Sequence, residues 1–133
     1  MSNEAILLVD DNPGNLKLIK VLLQSYHYDL RTALNAKETF SILDIFHPKL
    51  ILMDIQLPDM NGLEITRKLR TDSSYQNVVI LAITAYAMRG DEEKSFAAGC
   101  DGYIPKPIDT RTLPNVIAKY LKMGRKTHLQ SEH

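Results

Sequence analysis

Three aspartates stand directly after two apolar runs, and their placement is the most informative chemical feature of the chain. Asp10 and Asp11 follow Ile6–Val9, and Asp54 follows Leu50–Met53. An apolar run that stops at a carboxylate is typical of a buried strand that opens into a polar crevice. If the two strands are neighbours, the carboxylates meet at one edge, where like charges about 4 Å apart repel by roughly 4 kcal/mol at an effective dielectric near 20. A cation, a lysine or protonation must relieve this repulsion, so the cluster predicts a functional site.

Short apolar runs alternate with amphipathic segments along the chain. The continuous runs are rich in Val, Ile and Leu, which is typical of central strands in a parallel sheet whose two faces are both covered. A more polar run suits an edge strand, and a short run near the end of the chain suits the final strand. The predicted strands span residues 6–9, 28–32, 50–53, 78–83 and 102–104.

Five helices are predicted between and after these strands. Asn12 is placed to cap the first helix with Pro13 at its first position, and Gly99 is placed to end the fourth, over residues 91–98. The other helices are predicted from apolar residues that fall on one helical face. These are Leu16, Ile19, Leu22, Leu23 and Tyr26 in the first helix; Phe40, Leu43 and Phe46 in the second, predicted to end at His47-Pro48; Leu63 to Leu69 in the third; and Leu113, Val116, Ile117, Tyr120 and Leu121 in the fifth.

This alternation predicts an α/β fold, a flavodoxin-like (βα)5 doubly wound sandwich with a parallel five-stranded sheet in the order 2-1-3-4-5. In that order the topological switch point lies between strands 1 and 3, which are the strands that end in the aspartates. The ligand crevice of such a sheet lies at the carboxyl ends of its strands, so the acids are expected to meet there. We expect one domain over residues 1–123 and a flexible tail or linker remnant over residues 124–133.

Length and charge narrow the classes of function. The 133 residues suit one compact domain, and 16 basic and 16 acidic residues give no overall charge to attract nucleic acid or an anionic membrane. The chain shows neither a signal-peptide pattern nor an apolar stretch of membrane-spanning length, which favours a cytoplasmic protein. Cys100 is the only cysteine, so it cannot form an intrachain disulfide and is expected to be a small buried residue.

The loop after the first strand indicates a cation site rather than a phosphate cradle. It carries Asp10 and Asp11 where a phosphate-binding loop would offer glycine-rich backbone amides. Carboxylate oxygens suit Mg²⁺, with Mn²⁺ as a substitute. Thr84 at the end of strand 4 and Lys106 after strand 5 add a hydroxyl and an ammonium, which with a cation form a clamp for phosphoryl oxygens. Asp54, alone on the middle strand, is the candidate nucleophile for an aspartyl-phosphate.

Together these motifs resemble the receiver domain of two-component response regulators, the CheY-like superfamily. The motifs are Val9–Asn12, Met53–Pro58 with Gly62, Thr84-Ala85 and Tyr103–Pro107. They occur in order at the expected spacing over roughly residues 4 to 123, so their joint signal is strong although each one alone is weak. The residues around Asp54 and over 88–92 are most similar to DivK-like single-domain regulators and to the receivers of hybrid kinases.

The resemblance implies a role for each residue of the crevice. Asp54 is expected to accept a phosphoryl group from a phosphohistidine on a histidine kinase or a histidine phosphotransfer protein. Asp11, Asp54 and the backbone carbonyl of Gln56 are expected to bind Mg²⁺, while Asp10 acts through a bound water. Lys106 is expected to contact a phosphoryl oxygen and to pair with carboxylate in the free state.

The resemblance also implies switching and rate-tuning residues. Thr84 is expected to move towards the phosphoryl group, Tyr103 to change rotamer with it, and the Lys106–Pro107 peptide bond to be cis. Gln56 and Tyr86 are expected to flank the path of the hydrolytic water. A tyrosine at that position predicts slow loss of the phosphoryl group.

A signalling switch is therefore the leading hypothesis. A downstream protein would read it at the face of helix 4, strand 5 and helix 5, where Met88, Phe96 and Tyr103 are candidates. Such a receiver is not an enzyme beyond its own phosphorylation and dephosphorylation. No nucleic-acid or membrane partner is expected, and the chain is expected to be a monomer or a weak dimer.

Two alternatives stay open at this point. A Mg²⁺-dependent phosphatase that forms an aspartyl-phosphate would need a second acid two residues after its nucleophile, and neither strand offers such a pair. A phosphorylation-independent docking domain would be favoured if the acidic, hydroxyl or lysine positions were missing, and none is missing.

Overall fold

The computed structural model describes residues 4–85 and 90–125, in which five strands alternate with five helices. The strands are β1 Ala5–Val9, β2 Asp29–Ala33, β3 Leu50–Asp54, β4 Val79–Thr84 and β5 Gly102–Pro105. The helices are α1 Pro13–Gln24, α2 Ala36–Leu43, α3 Gly62–Arg70, α4 Asp91–Ala98 and α5 Leu113–Met123, with a short 3₁₀ helix at Ser73–Tyr75. Within the described ranges, no helix has the length and apolar character that crossing a membrane requires.

The five strands form one parallel sheet in the order β2-β1-β3-β4-β5, which confirms the predicted fold and topology. Val9 is in register with Met53, and Asp54 is in register with Ile83. Thr84 is in turn paired with Pro105 on β5. The carboxyl ends of β1, β3, β4 and β5 therefore lie along one edge of the sheet.

A separate hydrophobic core covers each face of the sheet. One core joins the strands to α2, α3 and α4, and the other joins them to α1 and α5. All residues of β3 and β4 are buried, which explains why these strands read as continuous apolar runs. Full burial of one leucine or isoleucine side chain stabilises by about 1.5–3 kcal/mol, so these two strands contribute strongly to the stability of the sheet.

Local signals set several helix ends as predicted. The Asn12 side chain caps α1 by accepting hydrogen bonds from the backbone N–H of Gly14 at 2.8 Å and of Asn15 at 3.1 Å, and Pro13 is the first residue of α1. Gly99 ends α4 in the left-handed conformation, with φ of 112°. Cys100 follows it and is buried, as predicted.

Two apolar residues were wrongly assigned to helices by the periodic pattern. Tyr26 lies beyond the end of α1 and is exposed, because the chain turns there and His27 takes a left-handed φ of 64°. Phe46 lies beyond α2, which ends at Leu43 rather than at Pro48. Phe46 is nevertheless buried, and the guanidinium of Arg31 lies 4.6 Å from the centre of its ring.

A buried ionic cluster joins distant elements at the opposite end of the sheet from the three aspartates. Asp101 accepts hydrogen bonds from Arg70 Nη2 at 2.9 Å, from Arg125 Nε at 2.8 Å and from the Ile80 N–H at 2.9 Å. Arg70 also donates through Nε to the Gly99 carbonyl at the end of α4. Burial lowers the pKa of Arg70 to about 10, although the attraction of Asp101 opposes this shift.

We expect the Asp101→Ala substitution to lower the free energy of unfolding by about 3 kcal/mol, because removing one partner from a buried ion pair leaves the other charge uncompensated. Urea denaturation measures this loss. Asp29→Ala is the matched control, since Asp29 pairs with Arg31 at 2.6 Å on an exposed surface and its loss is expected to cost less than about 1 kcal/mol. Equal losses in the two variants would contradict the role given to the buried cluster.

Candidate functional site

The three aspartates lie together at the carboxyl edge of the sheet. One carboxylate oxygen of each of Asp10, Asp11 and Asp54 lies within 4.8 Å of the others. Asp10 and Asp54 are buried, whereas Asp11 is exposed. The cluster arises because β1 and β3 are adjacent and in register, as the apolar runs predicted.

Backbone turns after the two strands orient the buried carboxylates. The Asn12 N–H donates to Asp10 Oδ1, and the Gln56 N–H donates to Asp54 Oδ1, each at 2.9 Å. The second oxygen of each carboxylate lies near Lys106, whose Nζ is 3.4 Å from Asp10 Oδ2 and 3.2 Å from Asp54 Oδ2. Each buried acid therefore has one oxygen held by backbone and one paired with the same ammonium.

The ionisation of Asp54 and Lys106 reflects this close grouping. Burial raises the pKa of the Asp54 carboxyl, and the hydrogen bond from the Gln56 N–H and the charge of Lys106 offset that rise only in part. Burial by itself lowers the pKa of Lys106, but attraction to Asp54 and Asp10 outweighs it, so the net pKa is raised. The free carboxylate of Asp54 is therefore held in an unfavourable environment, which an added cation would relieve.

The chemistry of the donor set fits a divalent metal ion. Three carboxylates lie together and Lys106 pairs with two of them, so negative charge remains in excess when all three are ionised. All the donors are oxygens, and Mg²⁺ prefers oxygen ligands of which only one or two are carboxylates. The exposed Asp11 leaves one side of the cluster open to solvent, which suits an ion that keeps several waters.

The ends of β4 and β5 bring the predicted hydroxyl and ammonium to the same edge. Thr84 is the last residue of β4 and is buried. The Lys106 N–H donates to the Thr84 carbonyl at 2.8 Å, which ties the loop that carries the ammonium to the end of β4. The Lys106–Pro107 peptide bond is cis, as the resemblance implies.

The residues predicted to switch, to bind a partner or to tune the hydrolysis rate do not all lie at one place. Tyr103 lies on β5, is partly buried, and packs against the core formed by α2, α3 and α4 rather than within the acid cluster. Phe96 of α4 is exposed. Gln56 is exposed beside Asp54. Tyr86 and Met88 lie outside the described residues.

Comparison with protein-family models identifies the family, because the model of the response regulator receiver domain matches residues 6–118. This chain belongs to the response regulator receiver domain family. The receiver is 38% identical over 118 residues to the polar-differentiation response regulator DivK of Brucella ovis, across 89% of the chain and 96% of that protein. The predicted resemblance is thereby confirmed, and it assigns the receiver to two-component signalling.

Solved structures resemble this receiver over almost its whole length. The chemotaxis response regulator CheY4 of Vibrio cholerae shows the same fold, with a TM-score of 0.83, 24% identity and coverage of 89% of this chain and 98% of that one. The receiver domain of the sensor histidine kinase PA1611 from Pseudomonas aeruginosa PAO1 is 30% identical with a TM-score of 0.81, covering 91% of this chain and 99% of that one. A magnesium ion is coordinated in the active site cleft of PA1611.

Gly62 belongs to the sequence motif around Asp54, and the structure shows a packing role that the motif does not specify. It begins α3, and its N–H donates to the Ile55 carbonyl at 2.8 Å. A Cβ built on Gly62 would overlap the backbone carbonyl of Asp54. The first turn of α3 therefore packs directly against the backbone of the central aspartate, and only glycine permits this approach. Side-chain periodicity carries no signal for such a contact between two backbones.

We expect the Gly62→Ala substitution to lower the free energy of unfolding by at least about 2 kcal/mol, because the added methyl group meets rigid backbone that cannot rotate away. Thermal or urea denaturation measures the loss. Gly14→Ala is the matched control, since a Cβ at Gly14 would approach only the Asn12 side chain, at 3.1 Å. A Gly62→Ala variant as stable as Gly14→Ala would show that α3 can shift away from β3 at little cost.

Proposed function

We propose that this receiver is a Mg²⁺-dependent switch whose Asp54 accepts a phosphoryl group from a phosphohistidine. The observation that carries the proposal is the position of Asp54, buried at the carboxyl edge of β3 with Lys106 Nζ 3.2 Å from its Oδ2. Asp54 has the oxygen, the neighbouring ammonium and the adjacent acids that an aspartyl-phosphate site requires.

In the proposed transfer, Asp54 Oδ2 attacks phosphorus, an O–P bond forms and the N–P bond to the donor histidine breaks. The Gln56 N–H holds Asp54 Oδ1 throughout, so the attacking oxygen keeps a defined direction. Lys106 exchanges its contact with the carboxylate for one with a phosphoryl oxygen. Asp11, Asp54 and the Gln56 backbone carbonyl would hold a Mg²⁺ ion, with Asp10 acting through a bound water. The ion would supply positive charge opposite the phosphoryl oxygens.

In the proposed switch, Thr84 and Tyr103 transmit the change at Asp54 to a protein-binding face. Thr84 turns its hydroxyl towards the phosphoryl group, and Tyr103 changes rotamer on the neighbouring strand, β5. Support comes from the adjacency of β4 and β5 at Thr84 and from the exposure of Phe96 on α4. The reader is a downstream protein that binds α4, β5 and α5. Gln56 and Tyr86 tune the rate of hydrolysis.

An apolar groove beside Lys106 supports a protein donor for the phosphoryl group. The groove has a volume of about 340 Å³ and lies between α1 and the loop after β5. Leu18 of α1, Pro107 and Ile108 line the groove. The Leu18 side chain is 57% exposed. A helix of a histidine kinase or histidine phosphotransfer protein that packed its apolar face here would bring its histidine next to Asp54.

Incubation with acetyl phosphate and Mg²⁺, followed by intact-mass measurement, tests the phosphorylation proposal. The wild type is expected to gain one phosphoryl group, because Asp54 is the nucleophile and the acid cluster needs a cation. Asp54→Asn in the same buffer, and wild type in excess chelator, are expected to gain none. A phosphoryl group on Asp54→Asn would refute the assignment of Asp54, and undiminished labelling in chelator would refute the metal requirement.

The Leu18→Ala substitution tests the donor groove. It is expected to lower kcat/KM for transfer from a phosphorylated donor protein about tenfold, because it truncates an exposed apolar anchor. Phosphorylation by acetyl phosphate is expected to be unchanged, since a small donor does not use the groove. Ile45→Ala is the matched control, because Ile45 is exposed but lies after α2, away from the groove. Equal effects of Leu18→Ala on both donors would contradict docking at this groove.

A further inference from the structure

The loop between β3 and α3 carries Gln56, and both of its ends are fixed by hydrogen bonds. At its start the Ile55 N–H donates to the Ile83 carbonyl at 3.0 Å, and the Gln56 N–H donates to Asp54 Oδ1 at 2.9 Å. At its end the Gly62 N–H donates to the Ile55 carbonyl. These bonds define where the loop begins and ends but leave its central residues to other contacts.

Asp59, in the middle of the loop, binds the first turn of a different helix. Its Oδ1 accepts a hydrogen bond from the Ala36 N–H at 2.8 Å, and its Oδ2 accepts one from the Lys37 N–H at 3.1 Å. These are N–H groups at the start of α2, which have no partner within their own helix. The Ala36 bond lowers the pKa of Asp59, and the helix dipole favours the same ionised form.

The helix also has capping bonds of its own. Asn35 Oδ1 accepts from the Glu38 N–H at 2.8 Å, and Glu38 Oε1 accepts from the Leu34 N–H at 2.7 Å. Local residues therefore provide acceptors for some of the N–H groups at the start of α2. Asp59 provides acceptors for others from a loop that is 23 residues from Ala36 in the sequence. The two sets of bonds stabilise the same helix end, but only the Asp59 bonds restrain the loop.

We propose that Asp59 is a positioning residue for the metal site, because it anchors to α2 the loop that presents the Gln56 backbone carbonyl. This inference rests on the proposed function, in which that carbonyl is a Mg²⁺ ligand. Gln56, Pro58 and Asp59 are all exposed, so solvent-facing side chains give this part of the loop little packing of its own. Leu57 and Met60 pack against the core and keep the loop folded, while Asp59 sets its position over the crevice.

Isothermal titration with Mg²⁺ tests the proposal by comparing Asp59→Ala with Asn35→Ala. Both variants lose capping bonds of α2 and are expected to lose a few degrees of melting temperature. Only Asp59→Ala is expected to bind Mg²⁺ more weakly, by about 5- to 10-fold. This is less than the roughly 10- to 100-fold loss that follows removal of a group bonded directly to a metal ligand. Asp59→Asn, which keeps one acceptor oxygen, is expected to lie between Asp59→Ala and wild type.

Phosphorylation by acetyl phosphate gives the second readout. The rate for Asp59→Ala is expected to fall at limiting Mg²⁺ and to return to the wild-type rate at saturating Mg²⁺, because the anchor acts through metal binding alone. Equal Mg²⁺ affinity in Asp59→Ala and Asn35→Ala, or a rate that saturating Mg²⁺ fails to restore, would overturn the inference and leave the proposed function intact. A wild-type protein that bound no Mg²⁺ would overturn both.

Discussion

The ammonium of Lys106 pairs with the carboxylates of both Asp10 and Asp54, and the arrangement of the site depends on these two ionic contacts. It compensates part of the repulsion that the fold creates by ending two adjacent buried strands in acids. Because Lys106 pairs with two of the three clustered carboxylates, the compensation is incomplete, and an added cation would lower the remaining repulsion. Lys106 makes both contacts from the loop after β5, so they tie that loop to the ends of β1 and β3.

The packing of the buried sheet keeps the aspartates together despite the repulsion between their charges. All of β3 is buried between two cores, and Gly62 lets α3 pack directly on the backbone at Asp54. The aspartate therefore cannot move away from its neighbours without disturbing the packing of the sheet. At the opposite end of the sheet, Arg70 Nε donates a hydrogen bond to the Gly99 carbonyl at the end of α4. Gly90, the N-cap of α4, makes no side-chain capping bond.

Sequence patterns captured those features that arise from local periodicity and from the ends of strands. The strand order, the convergence of Asp10, Asp11 and Asp54, and the cap at Asn12 all followed from such patterns. Helical periodicity failed at Tyr26 and Phe46, where the chain had already turned out of the helix. An apolar residue at the right spacing does not reveal whether the backbone hydrogen bonds continue as far as that residue.

The sequence by itself determined which chemical groups meet at the carboxyl edge, because strand adjacency and an alternating pattern place strand ends together whatever the details of packing. Only the tertiary structure decided which distant segments bond or pack together to stabilise that edge and the rest of the sheet. The bonds from Asp59 to the start of α2, from Asp101 to Arg70 and Arg125, and the approach of Gly62 to Asp54 join segments that are distant in sequence. Their physical basis is the exact spacing between packed elements. That spacing results from the packing of the whole fold, so it cannot be read from the residue types along the chain.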